Sequence, residues 1–311
     1  MNKTRFSKLA AVVCVSFTVV PLVARQSPPG TPVSIIVTLE PKHGKTIPPI
    51  EQQDITVSQG RDKRPIRSLT PLPLGQGGMQ LMLLIDDSAR GTFDTEIATL
   101  KQFVNALPAD TEVAVAYMRN GTAAHTSNFT RDHAAAAKSI RVSFGSGGAD
   151  VSPYNSLAEV AKHWPQPGAQ RKAVIMISSG VEGLGGGFTP DNPYVNDGIQ
   201  SAQRAGLLVY TIYSPSVGHD GHAFWRANWG QNFLSQLSDE TGGEMYGLGF
   251  GAPVSFDPYL KEILLQMQHQ YLLTFEARPE QKAGLQPINV KILEKDASIA
   301  APDKVFVPAG M

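Results

Sequence analysis

From Met79 to Ile85 the chain reads Met-Gln-Leu-Met-Leu-Leu-Ile, an almost unbroken apolar run that stops abruptly on Asp86-Asp87-Ser88-Ala89-Arg90. A run apolar on both faces predicts a central parallel strand, and its polar end then lies at the C-terminal edge of the sheet, where open α/β sheets bind ligands. Around this strand the hydrophobic period alternates between strand and helix. Phe93, Ile97, Leu100, Val104 and Leu107 recur at helical spacing and predict a helix over 92–107, stopped by Pro108. Apolar runs predict further strands over 113–118, 173–177, 207–212 and 244–246, and helices are expected over 131–140, 154–164, 194–205, 228–241 and 258–269. Asn120-Gly121 is a strong hairpin signal, with 123–129 as the antiparallel partner of the strand before it. The fold class is therefore α/β, a doubly wound, mainly parallel sheet with helices on both faces.

The flanks have a different period. Residues 33–39, 54–58 and 65–69 are short β-branched segments separated by turns, and 270–277, 287–293 and 304–307 return to strand character. Three short strands are too little to be stable alone. The expected layout is a signal peptide over 1–24, a linker over 25–32, an N-terminal β-extension over 33–75, the α/β domain over 79–269, and strands in 270–311 that pack with the extension into a small β-rich unit.

Composition narrows the function classes. Lys plus Arg and Asp plus Glu each total 27, so no net field favours nucleic acid or an anionic membrane. Lys3, Arg5 and Lys8 precede an apolar stretch from Leu9 to Val23 that is shorter than the roughly 20 residues a membrane span needs, which is the layout of a secretory signal. The expectation is an exported protein, periplasmic or extracellular, with no membrane span after cleavage. Cys14 is the single cysteine and leaves with the signal, which removes disulfides and thiolate chemistry from the mature chain.

Asp86 and Ser88 sit at alternate positions past the strand end, so an extended chain points them the same way, as half of a hard-cation site built from oxygens. Three segments then resemble the von Willebrand factor type A (VWA) family: Leu83-Leu-Ile-Asp-Asp-Ser-Ala-Arg90, Gly147-Gly148-Ala149 before a helix, and Val174-Ile-Met-Ile-Ser-Ser-Gly180. With its β-rich flanks, the chain resembles in particular the secreted bacterial VWFA-related proteins common in Acidobacteria. The resemblance implies a metal-ion-dependent adhesion site made of Asp-x-Ser-x-Ser, a Thr and a second Asp around Mg²⁺. Asp86 and Ser88 match that pattern as metal ligands; Arg90, Ala149 and Ser179 stand where the second Ser, the Thr and the second Asp belong. Asp150 is the nearest substitute for the missing carboxylate. With Arg90 able to pair with Asp86, the expectation is a degenerate site that has lost its Mg²⁺ and holds no other cofactor. The binding residues are then Asp86, Ser88, Arg90, Ala149, Asp150 and Ser179, and the partner is a protein or a cell-envelope component.

Other motifs are weaker. Gly183-Leu-Gly-Gly-Gly187 follows a strand, but its spacing fits neither nucleotide-binding fingerprint. His219-Asp220-Gly221-His222 offers two imidazoles with no third ligand in view, next to Phe224, Trp225 and Trp229. No Gly-x-Ser-x-Gly elbow surrounds Ser178 or Ser179. A non-catalytic protein is expected; the competing class is a hydrolase or other enzyme with a small-molecule pocket at the same sheet edge.

Overall fold

The apolar run from Met79 forms β5 (Met79–Asp86), and all eight of its residues are buried. The structure is a computed structural model and describes residues 30–42, 46–89, 92–145, 151–165, 169–184, 191–215, 224–249 and 253–310. β5 lies at the centre because it pairs in parallel on both sides, with β6 (Thr111–Arg119) and β8 (Arg171–Ser178). Beyond β8 the sheet continues through β9 (Leu208–Tyr213) to the short β10 (Met245–Tyr246), all parallel. On the other side β7 (Thr122–Thr130) pairs antiparallel with β6 across the Asn120-Gly121 turn, giving the order β10-β9-β8-β5-β6-β7. Asn120 takes a positive φ of 52° and Gly121 one of 64°, the combination a tight hairpin needs.

Helices cover both faces. One face packs Leu81, Leu83, Ile85, Val115 and Ile175 against α1 (Thr92–Asn105), α2 (His133–Lys138) and α6 (Asp257–Gln268). The opposite face packs Met82, Leu84, Ala116, Val174 and Met176 against α3 (Pro153–Lys162), α4 (Pro193–Ala205) and α5 (Phe224–Thr241). Neighbouring residues of β5 thus serve opposite cores, which is why the run had to be apolar throughout. Local chemistry sets the helix ends: Ser152 caps α3 and Asn192 caps α4, each followed by Pro at the first helical position, and Gly206 closes α4 at φ 67°. The doubly wound α/β class read from the hydrophobic pattern is the observed one.

A second set of sheets is all antiparallel. β1 (Thr31–Pro41) pairs with β11 (Gln270–Ala277), and β4 (Ile66–Pro71) and β14 (Ala297–Ala300) complete a four-stranded sheet in the order β14-β1-β11-β4. β13 (Asn289–Ile292), β2 (Ile55–Gln59) and β3 (Asp62–Arg64) form a three-stranded sheet, and β12 (Gly284–Pro287) pairs with β15 (Lys304–Val307). These sheets share a core of Val37, Val57, Leu273, Phe275, Ile288 and Val307. The segment expected as one strand over 287–293 is divided, because Pro287 has no N–H to donate and the N–H of Ile288 goes to Asp303. β3 and β14 had no counterpart among the expected elements, α2 is shorter than the expected 131–140, and α5 starts at Phe224 instead of residue 228.

Arg171, at the start of β8, joins the two sets. Its buried guanidinium donates to the carbonyls of Leu72 at 2.5 Å and Met267 at 3.1 Å, with Pro73 at 3.4 Å, so one side chain ties the lead into β5 to the end of α6. Burial lowers its pKa, yet the carbonyl cage keeps a guanidinium usable there.

Candidate functional site at the C-terminal edge of the sheet

Where β5 ends, the backbone turns on its own aspartate. Oδ1 of Asp86 accepts the Ser88 backbone N–H at 2.9 Å and the Ser88 hydroxyl at 2.6 Å, a local turn closed by a carboxylate two residues back. Oδ2 accepts the hydroxyl of Ser178, at the end of β8, at 3.1 Å. Asp86 and Ser88 are both buried. Burial raises the Asp86 pKa above the ordinary carboxylate range, the bonds from Ser88 and Ser178 pull it back, and the charge of neighbouring Asp87 raises it again.

Asp87 leaves in another direction. Its carboxylate is also buried, and it takes a two-pronged ion pair from Arg141, Nη1 to Oδ1 at 2.8 Å and Nη2 to Oδ2 at 3.1 Å. The Phe144 N–H adds a third bond at 3.0 Å, and Arg119 at the end of β6 lies 3.7 Å away. The Arg141 guanidinium is sandwiched between the rings of Tyr117 and Phe144, 3.8 Å from each centroid. Tyr117 and Arg141 bond twice: the phenol donates to the Arg141 carbonyl at 2.7 Å and accepts its N–H at 2.8 Å. Residues 141–145 are thus fixed against the ends of β5 and β6.

Behind β8 the edge is held by backbone contact. Gly180 has φ +68°, and a Cβ there would lie 2.3 Å from the carbonyl oxygen of Gly230 on α5; a Cβ on Gly230 would lie 2.2 Å from that of Ser179. The Tyr154 hydroxyl donates to the Gly180 carbonyl at 3.0 Å. Glu182 bridges to the next loop, accepting the Ser152 hydroxyl at 2.7 Å and the Leu184 N–H at 2.7 Å, while the Gly183 N–H reaches the Val151 carbonyl at 2.8 Å. Burial pushes the Glu182 carboxyl up to about 7 against these two bonds. Asp86, Arg119, Val151, Ser152 and Ser156 line a cleft between the loops with room for about one water.

Of the residues singled out from the sequence, Asp86 and Ser88 are in direct contact. The Ser179 hydroxyl accepts the Val181 N–H at 3.5 Å. Ser178 makes the contact instead. Arg90, Ala149 and Asp150 lie outside the described residues, as do 185–188 of the glycine-rich loop, the whole His219–His222 segment, and the signal and linker up to residue 29. Trp225 is about half exposed on the first turn of α5, whereas Trp229 packs on Phe233 in the core, ring centroids 5.7 Å apart. Sequence reasoning missed Ser178, Glu182 and the Asp87–Arg141–Tyr117–Phe144 cluster. Strand register holds the signal for the first: Ile85 pairs with Ile177, which brings Ser178 level with Asp86.

The described oxygens that meet at Asp86 are its own carboxylate and two hydroxyls bonded to it, and Mg²⁺ takes six oxygens in near-octahedral geometry. Among the described residues no group of three His, Cys, Asp or Glu side chains converges on a point that could hold a metal. Ser88 and Ser178 both direct their hydroxyls to the Asp86 carboxylate. No helix among the described residues is long and apolar enough to cross a membrane.

No family model and no curated sequence matches the chain. Solved structures similar in arrangement include BatB from Bacteroides thetaiotaomicron, at 14% identity over 61% of this chain and 97% of that one, with a TM-score of 0.45. The vWF domain of the type V pili tip protein Mfa5 from Porphyromonas gingivalis is similar at 14% identity, 63% and 97% coverage, and a TM-score of 0.44. An aerotolerance-related membrane protein from Bacteroides fragilis gives 16% identity, 61% and 98% coverage, and 0.42. No residue role is carried over from these likenesses. With a six-stranded sheet that is parallel but for β7 and helices on both faces, the chain has a doubly wound α/β fold.

Proposed function

We propose that this is an exported, non-catalytic binding module that docks another protein or a cell-envelope component through the C-terminal edge of its central sheet, without a metal ion. The docking residues are Arg90, Ala149 and Asp150, while Asp86, Ser88 and Ser179, all buried, support the strand ends of that edge. One observation carries the reading. Both oxygens of Asp86 are engaged by hydroxyls and backbone of the protein itself, in a cleft with room for about one water. A carboxylate used in this way is a pin for the edge, and among the described residues the cleft beside it is too small for a small-molecule substrate. In this reading Arg90 supplies the charged contact that a metal would otherwise supply, pairing with an acidic group of the partner.

Affinity capture from a cell-envelope extract, with and without chelator, tests both halves. The expected outcome is a partner retained in chelator and weakened by Arg90→Ser with the fold intact; capture that chelator abolishes, or that Arg90→Ser leaves unchanged, removes the reading. Calorimetric titration with Mg²⁺ or Mn²⁺ is expected to give no saturable heat. Micromolar binding lost in Asp86→Ala would restore a working metal site.

A further inference from the structure

Beside Asp86, the ends of β5 and β6 and the segment 141–145 build a surface that the proposed docking role does not use. Two arginines face one buried carboxylate there. Arg141 and the Phe144 N–H satisfy Asp87, with both terminal nitrogens of Arg141 within 3.1 Å and the ring sandwich holding its guanidinium flat. Arg119 is redundant for that purpose: its nearest nitrogen stands 3.7 Å from Asp87, beyond hydrogen-bond reach, and its side chain is 42% exposed. Asp94 is the other acid whose charge reaches Tyr117, and among the described residues it forms no ion pair with either arginine. Next to this surplus guanidinium lie two apolar side chains that the fold leaves outside, Phe144 at 60% and Val142 at 54% exposure. The Phe144 ring is 5.4 Å from the Arg119 guanidinium and is fixed from behind by Arg141 and by its own N–H on Asp87.

An exposed aromatic held rigid beside an under-used arginine is the composition of an interface anchor, since both types are enriched at hot spots and rigidity lowers the entropy of ordering on binding. Charge complementarity decides the occupant. We infer that Arg119, Phe144 and Val142 form a recognition surface for an acidic peptide segment of a protein partner, a carboxylate pairing with Arg119 while an adjacent aliphatic side chain rests on Phe144. The inference rests on the proposed role of this edge in protein docking and adds the chemistry of the partner. Arg141 is a positioning residue here, because it holds the platform through Asp87 and Tyr117 with its own donors already engaged.

The test uses the full chain and three synthetic peptides in which Gly-Ser spacers separate Glu–Leu, Lys–Leu or Glu–Ser pairs. Titration at low salt is expected to give saturable binding of the Glu–Leu peptide, weaker binding of Glu–Ser and none of Lys–Leu. Arg119→Gln and Phe144→Ser each weaken the Glu–Leu peptide roughly three- to fivefold, with an unchanged thermal midpoint establishing that each variant is folded. Equal binding of the Lys–Leu peptide, no binding of Glu–Leu, or folded variants that bind like the parent overturns the inference. Failure of the peptides with envelope capture intact removes this surface alone; absence of envelope capture with the peptide result standing removes the broader apex reading instead.

Discussion

Asp86 and Asp87 are adjacent in the chain and equally hidden from solvent, yet they are satisfied by opposite chemistry. Asp86 is held by hydroxyls and one backbone N–H, Asp87 by a flat guanidinium between two aromatic rings. The difference follows from the parity of the strand end: one carboxylate meets β8, the other the segment after α2. It teaches that neighbouring buried carboxyl groups can be satisfied in two ways, one by neutral donors and the other by a paired guanidinium.

The sharpest way to break this comparison is to remove the cation. Arg141→Ala strands the Asp87 charge and is expected to cost about 3–5 kcal/mol in denaturant unfolding, whereas Arg119→Ala costs under about 1 kcal/mol. Equal losses would mean that the two arginines share the load. Gly180→Ala acts on the other side, forcing a Cβ onto the Gly230 carbonyl at a left-handed φ; the expected loss is about 2–3 kcal/mol, with Ser178 drawn off Asp86.

The third effect is a pH dependence. Burial raises the Glu182 carboxyl from an ordinary 4.5 to about 7, so between those values the folded state holds a proton that the unfolded state has released. Its contribution is therefore full below about pH 4.5 and declines as pH rises through 7, by roughly 1–2 kcal/mol after allowance for solvent relaxation. Glu182→Gln should flatten that part of the stability–pH curve, and a curve unaltered by the substitution would contradict the assignment. The smallest effect is expected at Asp86 itself. An Asn there keeps an acceptor for Ser88 and an amide for the Ser178 oxygen, so Asp86→Asn should lie within about 1 kcal/mol of the parent, while Asp87→Asn, which leaves Arg141 without its charge partner, should cost clearly more.

The fold was legible because its signals are periodic. Eight buried residues ending on a carboxylate, and Phe93, Leu100 and Val104 at helical spacing, announce a central strand and its covering helix without any knowledge of partners. Asp86 and Ser88 were legible for the same reason, since both sides of their contact lie within three residues. The Ser178 contact was not legible, because it depends on the register of β8 on β5, which no single segment carries. The Asp87–Arg141 pair spans 54 residues and joins a strand end to a segment with no period of its own, so nothing local marks it. Division of the expected 287–293 strand belongs with these cases: the break is set by Asp303, which accepts the Ile288 N–H from a distant turn.

The meeting of Gly180 with Gly230 places bare main chain against bare main chain, and Gly243, just past the far end of α5, stands in the same relation to Val209, where a Cβ would lie 2.2 Å from the carbonyl oxygen. Joints of this kind contain no rotamers to absorb a displacement. The part of α5 from Gly230 to Thr241 lies between these two joints, so a side chain added at either glycine has to move the helix against the main chain it meets.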